Sequence, residues 1–178
     1  MKFIATDIIG VDLIELEKHS DDRGFFARSF CTEELAANGH DFEVVQANLS
    51  FNHHAGTLRG MHYQAAPVGD PKIVRCTSGA IYDVVIDLRP DSASYCKWVG
   101  AELSAANRNS LIIPAGCAHG FLTLEPDTEV LYLMGAPFVP DLASGVRWND
   151  PTFGISWPEK PAIINDRDAN YPDYEPSK

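Results

Sequence analysis

The chain has 178 residues, of which 45% are hydrophobic and 22% charged, the size and balance of one globular domain able to bury its own core. A formal net charge of −11 argues against nonspecific nucleic-acid binding, which runs on Lys and Arg patches, but leaves room for a small anionic ligand held by a few converging cations. Cys31, Cys76, Cys96 and Cys117 form no CxxC pair, no export signal is recognisable, and no apolar run approaches the roughly 20 residues of a membrane span, so a reducing cytoplasmic setting without membrane contact is expected.

In chain order, VDLIELEKH alternates as a strand does, and the DDRGFF that follows reads as a turn entering another strand. One short helix is predicted over Thr32–Gly39, with Thr32 as its cap and Gly39 in the left-handed C-terminal position. FEVVQANLSF, TLRGMHYQ, KIVRCTSG, AIYDVVIDLR, KWVGAELS, SLIIP, GFLTL and TEVLYLMG then read as strands with turn chemistry between them. Short strands at this spacing with hardly any helix indicate an all-β sandwich or barrel. From about residue 140 the chain turns Pro- and Asp-rich; it is expected to pack as loops and short helices on the same domain, which would span residues 1–178.

Two strands carry polar groups where a buried strand favours Val or Ile. In IYDVVIDLR, Tyr82, Val84, Ile86 and Leu88 form a plain apolar face, while Asp83 and Asp87 share the opposite face with Ile81 and Val85. An interior Asp83 needs a partner. In TLRGMHYQ, Arg59 and His62 have opposite parity and would face opposite surfaces of a regular strand. If both line one cavity, Gly60 marks a bulge.

Of six histidines, His19, His40, His53 and His54 fall in predicted turns or loops, where a solvated ring is the plain expectation. His62 and His119 lie in or beside apolar strands next to Gly; singly each reads as a satisfied structural His, but with Arg59, Lys72 and Asp83 on neighbouring strands they suggest a site. Three chemistries compete. A metal centre wants two His two residues apart followed by an acid; His62 has Gln64 there instead, so no metal is expected. A nucleophile has no G-x-S-x-G elbow to sit on, and Cys117, despite nearby His119, reads as a small buried hydrophobe. Proton transfer next to a carbonyl needs a base, a donor for the enolate and a returning acid. His62 suits the base, Lys72 or His119 the donor, Tyr132 the acid, and Arg23 and Arg59 an anionic tail, although Tyr132 on an apolar strand also reads as core.

The ordered motifs DDRGFFARSF, VVQANLSFN, GTLRGMHYQ, KIVRCTSGAIYDVVIDLR, IPAGCAHGF, EVLYLMG, WNDPTFGISWP and NDRDANYP, from about Val11 to Pro172, resemble the dTDP-4-dehydrorhamnose 3,5-epimerase family. The resemblance implies a cupin-type jelly roll that works as a homodimer, without metal or cofactor, on a nucleotide-linked 4-keto-6-deoxyhexose, usually dTDP-linked. It implies His62 as base, Asp168 as its orienting carboxylate and Tyr132 as the acid on the opposite face of the sugar. Lys72 and His119 would lie near the C4 oxygen with Asp83 in support, and Arg59 on the diphosphate. Arg23 and Phe26 would reach a nucleotide, often in the partner subunit's site, with Gln46 and Asn48 on the nucleotide side. Departures from the family pattern are Arg28 for Glu, Asp70 for Gln, Phe138 for Tyr, and Ala115 and Cys117 for an acid and an aromatic. The alternatives that remain are a 3-epimerase or other-nucleotide epimerase of a different deoxysugar pathway, a non-catalytic sugar-nucleotide binder, and a metal-dependent cupin.

Overall fold

The computed structural model describes residues 1–176. Its elements are β1 (Lys2–Ala5), β2 (Asp12–Glu15), β3 (His19–Asp21), β4 (Gly24–Phe26), α1 (Thr32–Ala37), β5 (Gln46–Asn52), β6 (Leu58–Gln64), β7 (Lys72–Ser78), β8 (Ala80–Asp87), β9 (Trp98–Ser104), β10 (Ser110–Ile113), β11 (Cys117–Thr123), β12 (Thr128–Met134), a 3-10 turn (Pro140–Leu142), β13 (Ala143–Gly145) and α2 (Asp166–Ala169). One sheet has the order β1-β2-β10-β7-β12-β5 and the other β13-β6-β11-β8-β9; β3 and β4 form a separate hairpin. All pairings between these strands are antiparallel. The two sheets face each other as a jelly-roll sandwich of the cupin type, the class expected from the strand spacing.

Period-2 alternation decides which side chains enter the sandwich. Val74 and Cys76 of β7, Leu111 and Ile113 of β10 and Val130 of β12 meet Ile81, Val85, Leu103, Cys117 and Phe121 of the facing sheet in one apolar cluster. Asp83 therefore points into the interior, as its parity requires. The apolar face of β8 is buried too, though not in the sandwich: Val84, Ile86 and Leu88 pack outward against Val146, Phe153 and, less deeply, Trp157 and Tyr174 of the C-terminal segment. That segment, expected as loops and short helices, also supplies β13, which pairs with β6 so that Gly145 lies opposite His62.

The helix falls where the sequence puts it but is capped differently. Thr32 is its first residue and Cys31 its N-cap, without a side-chain hydrogen bond; Glu33 and Glu34 occupy the first turn, which suits the helix dipole. Gly39 takes φ +85°, and the N–H groups of Gly39 and His40 close the end on the carbonyls of Ala36 and Leu35. Leu35 anchors α1 in a second cluster on the outer surface of the six-stranded sheet, with Ile14, Ile73 and Ile112. His40 is not solvated as expected: its Nε2 lies 2.7 Å from Asp12 Oδ2 and its ring stacks on Phe3, because the chain leaving α1 crosses β1 and β2.

In β6 the parity conflict between Arg59 and His62 resolves at Gly60. His119 of β11 pairs with His62 and Phe121 with Arg59, so Gly120 alone stands opposite Gly60 and Met61. Met61 turns to the outer cluster, and Arg59 and His62 both face inward. Gly60 has φ +122°, and a Cβ there would come within 2.5 Å of Gly120 Cα and 2.8 Å of His119 O. Only glycine fits. Gly60→Ala is expected to cost more than about 3 kcal/mol of stability, or to relax the bulge and misdirect His62, read by denaturant unfolding together with activity.

At the far end of β8, Asp87 is fully buried and accepts hydrogen bonds from Arg89 Nε and Nη2, each at 2.8 Å, and from the Ser92 and Ser94 hydroxyls. Burial alone would raise its pKa; the guanidinium and hydroxyl donors outweigh that and bring it down to about 2, from 3.8. A depressed carboxylate stabilises the fold above its unfolded pKa and ceases to do so as pH falls through its folded one. Asp87 is thus expected to contribute about 2 kcal/mol near neutrality, lost between pH 4 and pH 2. Thermal melting of Asp87→Asn across that range should lose the corresponding part of the acid limb.

Candidate active site

The apolar interior gives way to a cavity of about 310 Å³ lined by Asn48, Ser50, Arg59, His62, Lys72, His119, Tyr132, Met134, Asn165 and Asp168. Both sheets contribute. His62 and Arg59 come from β6 and His119 from β11, while Lys72 comes from β7, Tyr132 from β12, and Asn48 and Ser50 from the edge strand β5. His62 and Tyr132 therefore stand on opposing walls. A smaller adjoining cavity of about 190 Å³ shares Asn48, His62 and Met134 and continues past Gln46, Asp70, Phe138 and Arg167.

Asp168, 106 residues from His62 in sequence, meets it through α2. Asn165 caps this one-turn helix, its side chain accepting from the Asp168 N–H at 2.7 Å, and this aims the Asp168 carboxylate at β6. Asp168 Oδ1 lies 2.7 Å from His62 Nε2, and Oδ2 accepts from the Gly60 N–H at 3.1 Å and from Asn165 Nδ2 at 3.2 Å. Burial raises the carboxyl's pKa, but the His62 hydrogen bond, the Gly60 N–H and the His62 charge carry it below the ordinary value. An ionised carboxylate only accepts, so Nε2 of His62 bears a proton, and Nδ1 is the nitrogen that can act as a base.

A second imidazole–carboxylate pair stands beside the first. His119 Nε2 lies 2.7 Å from Asp83 Oδ1, both groups are buried, and Asp83 Oδ2 makes no hydrogen bond among the described residues. With Nε2 committed to Asp83, His119 Nδ1 can donate a hydrogen bond only as an imidazolium, whose charge Asp83 compensates. The His119 ring meets Tyr132 edge-on at 6.0 Å between centroids. The Tyr132 hydroxyl is desolvated, and the nearby Asp83 charge adds to this; both push its pKa well above that of a free phenol, against a smaller opposite pull from Arg59. Such a phenol holds its proton until a strong base forms beside it.

Arg59 is aimed across the cavity rim, its Nε donating to Asn52 Oδ1 at 2.7 Å. Gln46 and Asn48 are joined by a 2.9 Å hydrogen bond on the same edge. Arg23 and Phe26 do not reach the cavity of their own chain. They sit on the β3–β4 hairpin with Arg23 clamped to Asp21 and 90% of its side chain exposed, and Phe26 is 77% exposed. Cys117 is inert, since burial pushes its thiol up to about 12 in spite of the opposing pull of Arg89. Among the described residues no three His, Cys, Asp or Glu side chains gather as a metal site. Reading the sequence missed Asn165, whose place three residues before Asp168 is an N-cap signature, and Ser50, which carries no local signal.

Comparison with known proteins agrees with this geometry. Residues 5–175 match the family model described as dTDP-4-dehydrorhamnose 3,5-epimerase. The curated dTDP-4-dehydrorhamnose 3,5-epimerase of Sinorhizobium fredii is 41% identical over 173 residues, 97% of this chain and 89% of that protein. The crystal structure of the Bacillus anthracis enzyme with TDP and PPi bound superposes with a TM-score of 0.93 at 41% identity, covering 97% of this chain and 99% of that one. The Legionella pneumophila enzyme in complex with dTDP-4-keto-L-rhamnose gives 0.87 at 32% identity, covering 94% and 89%. With its two imidazole–carboxylate pairs facing Tyr132 inside a jelly roll, the chain belongs to the dTDP-4-dehydrorhamnose 3,5-epimerase family.

Proposed function

We propose that residues 1–178 act as one jelly-roll domain that epimerises C3 and C5 of a dTDP-linked 4-keto-6-deoxyhexose, converting dTDP-4-dehydro-6-deoxy-D-glucose to dTDP-4-dehydro-L-rhamnose. The observation that carries this reading is the placement of His62, oriented by Asp168, on one sheet and the desolvated Tyr132 on the other, across a single cavity.

A C4 ketone acidifies the hydrogens on C3 and C5. His62 Nδ1 takes one of them, the electrons of that C–H bond move into the ring, and negative charge gathers on the C4 oxygen. The Lys72 ammonium is the donor for that oxygen, with His119 beside it, and in a water-poor cavity such a donor counts for more than it would in solution. Tyr132 then gives its proton to the same carbon from the opposite side, inverting it and restoring the C4 ketone; before the second carbon reacts, His62 loses the abstracted proton to solvent and the Tyr132 phenolate regains one from solvent. Arg59 grips the diphosphate, with Gln46 and Asn48 towards the nucleoside. The expected cytoplasmic setting accords with four cysteines that are free thiols, and among the described residues no helix is long and apolar enough to cross a membrane.

The working unit in this reading is a homodimer. Asn48 and Ser50 of β5 line the cavity, so Leu49 and Phe51 face outward, and both are exposed on an edge strand. The hairpin that carries the exposed Phe26 is a second such surface, suited to reach a neighbouring subunit's nucleotide with Arg23.

Incubation with dTDP-4-dehydro-6-deoxy-D-glucose in deuterated water, followed by NMR at C3 and C5, tests the chemistry and separates a 3,5-epimerase from a 3-epimerase. His62→Ala should lower deuterium wash-in by about a thousandfold or more; retention of most wash-in would sink the assignment. Tyr132→Phe should spare wash-in at least tenfold better than inversion, and equal losses would argue against an acid role. Sedimentation equilibrium is expected to give twice the 19.6 kDa chain mass and to shift towards one chain in Leu49→Glu; a monomeric parent would overturn the dimer.

A further inference from the structure

Lys72 does not stand free in the cavity wall. Its Nζ lies 2.5 Å from Asp70 Oδ2, and the two side chains are only 5% and 13% exposed. The other oxygen, Asp70 Oδ1, accepts from the backbone N–H of Gln64 at 3.0 Å. Gln64 ends β6, two residues beyond His62, and is itself pinned: its amide donates to Gly69 O at 2.6 Å and accepts from the Val139 N–H at 2.7 Å. One carboxylate thus ties an ammonium of the six-stranded sheet to the strand that carries His62 in the other sheet. Asp70 lines the smaller adjoining cavity and Lys72 the larger one.

We infer that Asp70 is a positioning residue, holding the Lys72 ammonium at the C4-oxygen position and in register with His62. This rests on the epimerase reading given above and adds to it a residue at which the chain departs from its family's usual Gln. A lysine has a flexible four-carbon stem and three rotatable donors, and so has no aim of its own. A donor lowers the barrier to enolate formation only if it is already in place when the charge develops. Asp70 engages one of the three ammonium donors of Lys72, leaving two for the substrate. Its carboxylate also compensates the ammonium in the resting state, where Lys72 is almost fully buried. Neither interaction takes part in bond making; both decide where a catalytic donor stands.

Asp70→Asn separates this from a merely structural role, because the amide keeps an acceptor oxygen at only one of the two positions and turns an NH2 donor towards either the Gln64 N–H or the Lys72 ammonium. In wash-in assays at varied substrate, kcat is expected to fall about tenfold while KM stays within about twofold. The side-chain ammonium resonance of Lys72, assigned by its absence from Lys72→Met, should be sharp in the parent and broadened by exchange in Asp70→Asn. Asp70→Glu keeps both acceptor oxygens and should retain kcat within about threefold, and it stands in if Asp70→Asn melts prematurely. An unchanged kcat, a loss carried by KM alone, or an equally sharp ammonium resonance in Asp70→Asn overturns the inference. A parent enzyme without wash-in would overturn the epimerase reading instead, and the ammonium resonance would still decide whether Asp70 holds Lys72.

Discussion

The carboxylate of Asp168 is the constraint on which the remainder of the site depends. It is almost fully buried, and its hydrogen bonds go to His62, the Gly60 N–H and Asn165. Those three bonds join separate requirements. The first sets the tautomer and orientation of the imidazole, the second holds the backbone of the bulge that turns Arg59 and His62 to the same side, and the third closes the helix that brings the carboxylate there. A buried, ionised group has few stable arrangements, because every lone pair left without a donor is costly. The position of the His62 imidazole is therefore settled by polar satisfaction as well as by packing.

Around that point the jelly roll solves a problem of placement. Abstracting a proton from one face of a sugar and returning one from the other requires groups on opposite sides of a narrow space. Two facing sheets offer this directly, with alternate residues of β6 and β11 projecting towards alternate residues of β7 and β12. The apolar cluster between the sheets, with Val74, Cys76, Phe121 and Val130, packs against Tyr132 and holds that wall of the cavity in place. The C-terminal segment covers the outer surface of the five-stranded sheet and delivers Asp168 to the inner one, so a stretch with little regular structure both shields the core and completes the site.

Much of this was legible in the residues. Alternation in IYDVVIDLR pointed Asp83 inward, the parity of Arg59 and His62 called for a bulge at Gly60, and both hold because strand period and glycine conformation are local properties. Local rules also failed in identifiable places. Thr32 reads as a helix cap yet lies inside α1, with Cys31 capping, because the packing of Leu35 sets where the helix begins. His40 reads as a loop residue yet is paired with Asp12, since nothing near it in sequence shows that the chain will cross β2. The apolar face of β8 reads as sandwich core but is covered by a tail more than 50 residues away in sequence.

What the sequence by itself determined is the inventory and its local geometry: the strands, the glycine that permits the bulge, and the polar side chains that no apolar core would retain without partners. What only the tertiary structure decided is the pairing. Asp168 meets His62 rather than His119, Asp83 meets His119, and Asp70, at first only a departure from a pattern, faces Lys72 at hydrogen-bonding distance. The physical reason is range. Backbone propensity and side-chain parity act over a few residues, whereas a charge buried in a low-dielectric interior takes whichever counter-charge the closed chain brings to it, here from 2, 36 or 106 positions away.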